Sequence, residues 1–189
     1  DNGTTGSTTP YFNICVTTPP INDDCLNAVE VKFGNSCTSE FADGTYATQS
    51  LVAGTNMGDA SDDVWFKFTP DTTVAFISIQ PSMDYDPVVQ LFSACGTPTN
   101  GISTFYDDNS YAQGVFGTAI VKGLIKGNTY YYRVYEKSNV PKDMMSFTTC
   151  VVKPATNDDC EKATKITPGL TCIETNGEGT YATQSTPST

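Results

Sequence analysis

The amino-acid sequence predicts an all-β protein: an antiparallel β-sandwich of jelly-roll or immunoglobulin-like type with about eight strands, recurring in tandem. Three observations carry this expectation. Short runs rich in Val, Ile, Phe, Tyr and Thr alternate with clusters of Gly, Pro, Asn and Asp, the chemistry of strands and turns. Almost no stretch has helical periodicity. The heptapeptide GTYATQS at 44–50 also returns unchanged at 179–185.

Taken in order, the N-terminal DNGTTGSTTP and C-terminal STPST have the Thr, Ser, Gly and Pro content of extended linkers. LNAVEVK at 26–32 alone has room for a helical turn after an Asp cap. Strands are expected in TYATQS, DVWFKFT, VAFISIQ, PVVQLFS, ISTFYD, GTAIVK, TYYYRVYE and SFTTCVV. In DVWFKFT, Val64, Phe66 and Phe68 share one face and Trp65 and Lys67 the other. In TYYYRVYE, Tyr130, Tyr132 and Val134 alternate with Tyr131, Arg133 and Tyr135. The first set of each is placed inside. KGNT ahead of TYYYRVYE has the Gly-Asn pair of a tight hairpin.

Sliding the chain against itself by 135 residues lays 12–50 on 147–185 without a gap, and 18 of the 39 positions are identical. Phe12 falls on Phe147, Cys15 on Cys150, NDDC at 22–25 on NDDC at 157–160, and Cys37 on Cys172. A period this long fits whole domains in series, not a solenoid. The expected frame is a tail strand and linker over 1–21, a complete sandwich over 22–152, and a linker with the start of a further unit over 153–189.

Seven Cys and no His argue for disulfides in an oxidising compartment over a mixed-ligand zinc site. The repeat suggests local pairs, Cys25 with Cys37 and Cys160 with Cys172. Cys95 is then left for Cys150, and the partner of Cys15 lies upstream; a free, reactive Cys15 is the alternative.

Ten Lys plus Arg against 21 Asp plus Glu give a net charge of −11, a field that repels phosphate backbones and anionic headgroups. Nucleic acid is a poor partner. No apolar run approaches the roughly 20 residues of a membrane helix, and no charged-then-apolar export signal opens the chain, which reads as a mature, soluble piece. Without His, Ser-His-Asp and Cys-His machinery cannot be assembled from these residues, and no GxSxG elbow is present. A non-enzymatic role is expected.

The acidic clusters GDASDD, DYDP and YDDN fall at the ends of predicted strands, where Asp84, Asp86, Asp107 and Asp108 could converge on Ca²⁺. None has EF-hand spacing, and turn capping and solubility explain such residues equally well. Asn22 and Asp23 are expected to cap the turn into Cys25. Trp65, Tyr131 and Tyr135 offer either a stacking platform for sugar rings or a cover for the core and a neighbouring domain. The junctions TTPPINDDC and VKPATNDDC are short and contain Pro, so successive domains would stack with little slack.

Over 22–152, the order NDDC, a near Cys, DDVWFKFTP, DYDPVVQLFSAC, YDDN and LIKGNTYYYRVYE resembles the pre-peptidase C-terminal type of β-sandwich in secreted proteins of Bacteroidota. The resemblance implies either tandem arrays in very large cell-surface adhesins, some of them gliding adhesins exported by the type 9 pathway, or accessory domains of secreted hydrolases. Many relatives carry a Cys just before the DD of YDDN, the partner of the Cys95 equivalent. Tyr106 stands there in this chain, in keeping with Cys95 pairing instead with Cys150. The leading expectation is an extracellular structural or adhesive repeat whose partners are neighbouring repeats and surface glycans or proteins. The alternative is a carbohydrate- or substrate-binding accessory module.

Overall fold

Alternating apolar residues decide the architecture. The computed structural model describes residues 13–53, 58–82, 86–95, 105–107, 117–137, 145–177 and 179–183. Its strands are β1 (Val29–Glu30), β2 (Phe33–Gly34), β3 (Glu40–Asp43), β4 (Val64–Phe68), β5 (Val74–Pro81), β6 (Pro87–Phe92), β7 (Phe105–Asp107), β8 (Gly117–Lys122), β9 (Tyr130–Glu136) and β10 (Ser146–Val152). The first sheet runs β1-β4-β9-β6-β7 and the second β2-β10-β5-β8, with β3 also on β10. Pairing is antiparallel except at β1 on β4 and β2 on β10, where the leading segment lies down parallel to a strand already paired on its other side. Among the described residues no helix is long and apolar enough to cross a membrane.

Between the sheets lies the core. Val64, Phe66 and Phe68 of β4 and Tyr130, Tyr132 and Val134 of β9 meet Ala75, Ile77, Ile79, Phe147 and Val151 from the second sheet. The inward set expected from alternation is the one observed. Phe66 stacks on Tyr132 at 5.1 Å and takes Phe147 edge-on at 5.9 Å. Each such side chain contributes about 1.5–3 kcal/mol of burial. The buried phenols keep partners: Tyr132 shares a 2.8 Å hydrogen bond with Thr149, and the Tyr130 hydroxyl accepts from the Ile125 N–H at 2.8 Å.

Three local expectations are corrected. The helical turn of 26–32 shrinks to a 3₁₀ turn, Cys25–Asn27, because Val29–Glu30 pairs with β4 and the Val31 N–H then donates to the Lys67 carbonyl at 2.8 Å. One isolated turn of helix cannot compete with that ladder. TYATQS is a turn held by side chains, not a strand; Tyr46 has φ 64°, which ends any extended run. In KGNT the turn forms, with Gly127 at φ 81°, but it carries the chain from β8 in the second sheet to β9 in the first, so no hairpin results.

The disulfide pairing also differs. Cys25 bonds Cys95 and Cys37 bonds Cys150, whereas Cys15, Cys160 and Cys172 are exposed and unpaired. Cys25 packs with Trp65, Phe92 and Cys95 on the outside of the first sheet, while Cys150 packs with Phe76 and Val152 on the outside of the second. Packed sheets are about 10 Å apart and a disulfide spans Cα atoms up to about 7 Å apart, so the core stands between Cys25 and Cys37. Local pairing of Cys160 with Cys172 fails with it. Each observed bond staples the leading segment to one sheet.

Closing loops of 70 and 113 residues is worth about 4–5 kcal/mol apiece on the chain-entropy model. Replacing Cys37 and Cys150 together by Ser should therefore lower unfolding free energy by about 2–5 kcal/mol in denaturant titrations. Non-reduced peptide mapping should return the 25–95 and 37–150 linkages; a 25–37 peptide would contradict the fold.

Candidate functional site

Trp65, Tyr131 and Tyr135 do lie on one side of the first sheet, but that side is not open. Trp65 is 1% and Tyr135 0% exposed, and only Tyr131 is half-buried. Trp65 and Tyr135 therefore present no ring face to solvent. The reason is Arg133, itself 0% exposed at the centre of the layer. Its Nη1 donates to Asp63 Oδ2 at 2.7 Å and to the Leu51 carbonyl, while Nε and Nη2 donate to Gln90 Oε1 at 3.0 and 2.7 Å. The guanidinium carbon sits 4.9 to 5.8 Å from the ring centres of Tyr135, Phe92 and Trp65. Burial pushes the Asp63 carboxyl up, against the hydrogen bonds from Ser50 and Arg133 that pull it down.

Residues 48–51 are drawn over this layer by hydrogen bonds. Asp63 accepts from the Ser50 N–H at 3.0 Å and from its hydroxyl at 2.8 Å, and Trp65 Nε1 donates to Ser50 Oγ at 2.6 Å. Asp23 accepts from the Thr48 N–H at 2.5 Å and from Thr48 Oγ1 at 2.7 Å. Asp23 thus holds the heptapeptide and makes no cap for the turn into Cys25; the Asn22 amide goes to the Trp65 carbonyl. The same clamp recurs 135 residues on, where Asp158 accepts from the N–H and hydroxyl of Thr183. A 3₁₀ turn, Cys160–Lys162, repeats Cys25–Asn27, and Tyr181 at φ 60° repeats Tyr46.

Of the four expected calcium ligands, Asp84 and Asp108 lie outside the described residues, as does the side chain of Asp107 in β7. Asp86 is buried. Its N–H donates to Glu136 Oε2 at 2.9 Å, and the Glu136 N–H donates to Asp62 Oδ1 at 3.2 Å. These acids are linked in series through backbone donors. Among the described residues no group of three or more His, Cys, Asp or Glu is set to hold a metal. Asp62, from the GDASDD cluster, carries a carboxyl that burial pushes up to about 6.

Among the described residues, a hollow of about 400 Å³ lies over the Cys25–Cys95 bond, walled by Asp24, Leu26, Ser50, Leu51 and the rim of Trp65. Residues 21–149 match the family model described as galactose binding domain-like and associated with T9SS. This chain belongs to that family. The galactose-binding-like module is also similar in structure to the pre-peptidase C-terminal domain of a collagenase from Bacillus anthracis, with 13% identity, 66% of this chain and 93% of that one covered, and a TM-score of 0.37. A comparison with curated proteins returned no match. Family membership and two disulfides are those of a secreted or cell-surface module.

Arg133→Met should destabilise the galactose-binding-like module by about 3–5 kcal/mol in denaturant titrations, since it leaves buried Asp63 unanswered. Because the Asp62 carboxyl is raised in the fold to about 6, its share of stability is fully present below about pH 4 and is lost as pH rises through 6. Stability should therefore gain about 2–3 kcal/mol from this group on going from pH 8 to 4, and Asp62→Asn should remove that part of the pH profile.

Proposed function

We propose that this chain is a non-catalytic structural and adhesive repeat of a large extracellular cell-surface protein, a segment of a stalk or filament. The recurrence of the clamp, Asp23 on Thr48 and Asp158 on Thr183, is the observation that carries this reading. Two conserved-in-place side-chain locks at one offset are what two successive copies of a single unit produce. The linker between them is short, begins with the Lys153 N–H donating to the Gly34 carbonyl at 3.0 Å, and contains Pro154. In this frame Cys160 and Cys172 are the Cys25 and Cys37 of the following unit, and Cys15 is the Cys150 of the preceding one. Membership of a T9SS-associated family agrees with a surface location.

A second reading is favoured by the galactose-binding-like family itself: an accessory module that binds carbohydrate beside a secreted hydrolase. Its ligand would meet the hollow over Cys25–Cys95, lined by aliphatic and polar groups. A glycan array giving saturable binding that Leu51→Glu abolishes would favour it over the first.

The repeat reading is tested on a two-unit chain in which residues 51–189 continue directly from Ser185. Non-reduced mapping should pair Cys160 with Cys95 of the second unit and Cys172 with its Cys150. Any other pairing removes the reading.

A further inference from the structure

The outer face of the second sheet carries an apolar patch formed by Phe76, Cys150 and Val152, with Val74 at its edge. Outward positions of a sandwich are normally polar, and this patch needs a cover. Tyr181 packs on it: its ring lies 5.3 Å from that of Phe76, which is 3% exposed. Tyr181 belongs to the second copy of GTYATQS. It holds φ 60°, a left-handed backbone that a bulky residue adopts only when its surroundings enforce it. The enforcing contacts are the Ala182 N–H on the Gly179 carbonyl at 3.1 Å and the Asp158 clamp on Thr183.

Tyr46 reproduces every part of this geometry except the cover. Its φ is 64°, the Ala47 N–H donates to the Gly44 carbonyl at 2.9 Å, and Asp23 clamps Thr48. Its side chain nevertheless stands 61% exposed. A strained tyrosine turned into water is an arrangement with no use inside one module.

Resting on the repeat reading, we propose that the tyrosine of GTYATQS is the docking side chain between modules. Tyr181 fills the patch of this module, and Tyr46 is presented to the Phe76-type patch of another module of the same kind. The strand register gives the two features the placement that head-to-tail stacking requires. Asp43, next to the Tyr46 turn, pairs with Ser146 at the start of β10, whereas Phe76 pairs with Val152 at its end. Six residues of strand set tooth and socket about 20 Å apart, at opposite ends of the module. Because tooth and socket are different surfaces, their contact is heterologous and generates an open line of modules.

Two measurements test this. In the 189-residue chain, hydrogen exchange at Ala182 and Thr183 should quicken at least tenfold in Tyr181→Ser and in Phe76→Ser, and stay near the parent rate in Tyr181→Phe, which keeps the ring. In the two-unit chain, where Tyr181 is the second unit's Tyr46, small-angle scattering should give one narrow distance distribution. Tyr181→Ser should broaden it and Tyr46→Ser, at the free end, should not. Scattering unchanged by Tyr181→Ser, with Cys160 paired to the second Cys95, overturns the docking and leaves the repeat reading standing. Scrambled cysteine pairing overturns both.

Discussion

A guanidinium with no access to water must be neutralised and must place its donors, or the fold pays several kcal/mol for it. Arg133 meets that demand with one carboxylate, one amide oxygen and one backbone carbonyl, and the carbonyl belongs to a segment more than eighty residues earlier in the chain. The consequence reaches far beyond the ion pair. Residues 48–51 are pulled across the first sheet, Trp65 is sealed beneath them while Tyr135 packs with Ala60, Val88 and Ala53, and what would have been a solvent face becomes a third packed layer. The arrangement takes Trp65 and Tyr135 out of reach of solvent.

Two aspartates do for the connecting segment what ladders do for strands. Asp63 grips Ser50 and Asp23 grips Thr48, each through one backbone N–H and one hydroxyl. This explains why NDDC and GTYATQS travel together in the sequence: they are the two halves of one lock, twenty-five residues apart in both copies. The lock holds Tyr46 and Tyr181 in the same left-handed turn.

Strands β4 to β10 were legible because apolar alternation is a direct record of which residues share a face. It does not record whether a face is covered. Alternation sets Trp65 and Tyr135 opposite Phe66 and Tyr132, yet their cover comes from Arg133 together with Leu51 over Trp65 and Ala53 and Ala60 beside Tyr135, which no periodicity connects. The disulfides were illegible for a related reason: Cys25 and Cys37 are neighbours in sequence, but two short parallel strands send them to opposite sides of the sandwich. TYATQS has β-rich composition, and only the positive φ at Tyr46, set by side chains from elsewhere, makes it a turn. The acidic motifs gave away Asp86 as a residue of interest but not its tie to Glu136, which is a matter of backbone donors.

β10 is the last strand in the sandwich and also the one on which the second sheet is assembled, with β5 on one edge and β2 and β3 on the other. Synthesis therefore delivers the keystone last. Until residue 152 has emerged, β2 and β3 have nothing to lie on, and the thiol of Cys37 has no mate. Contacts of such long sequence separation form slowly, so a nascent module stays open while it is made.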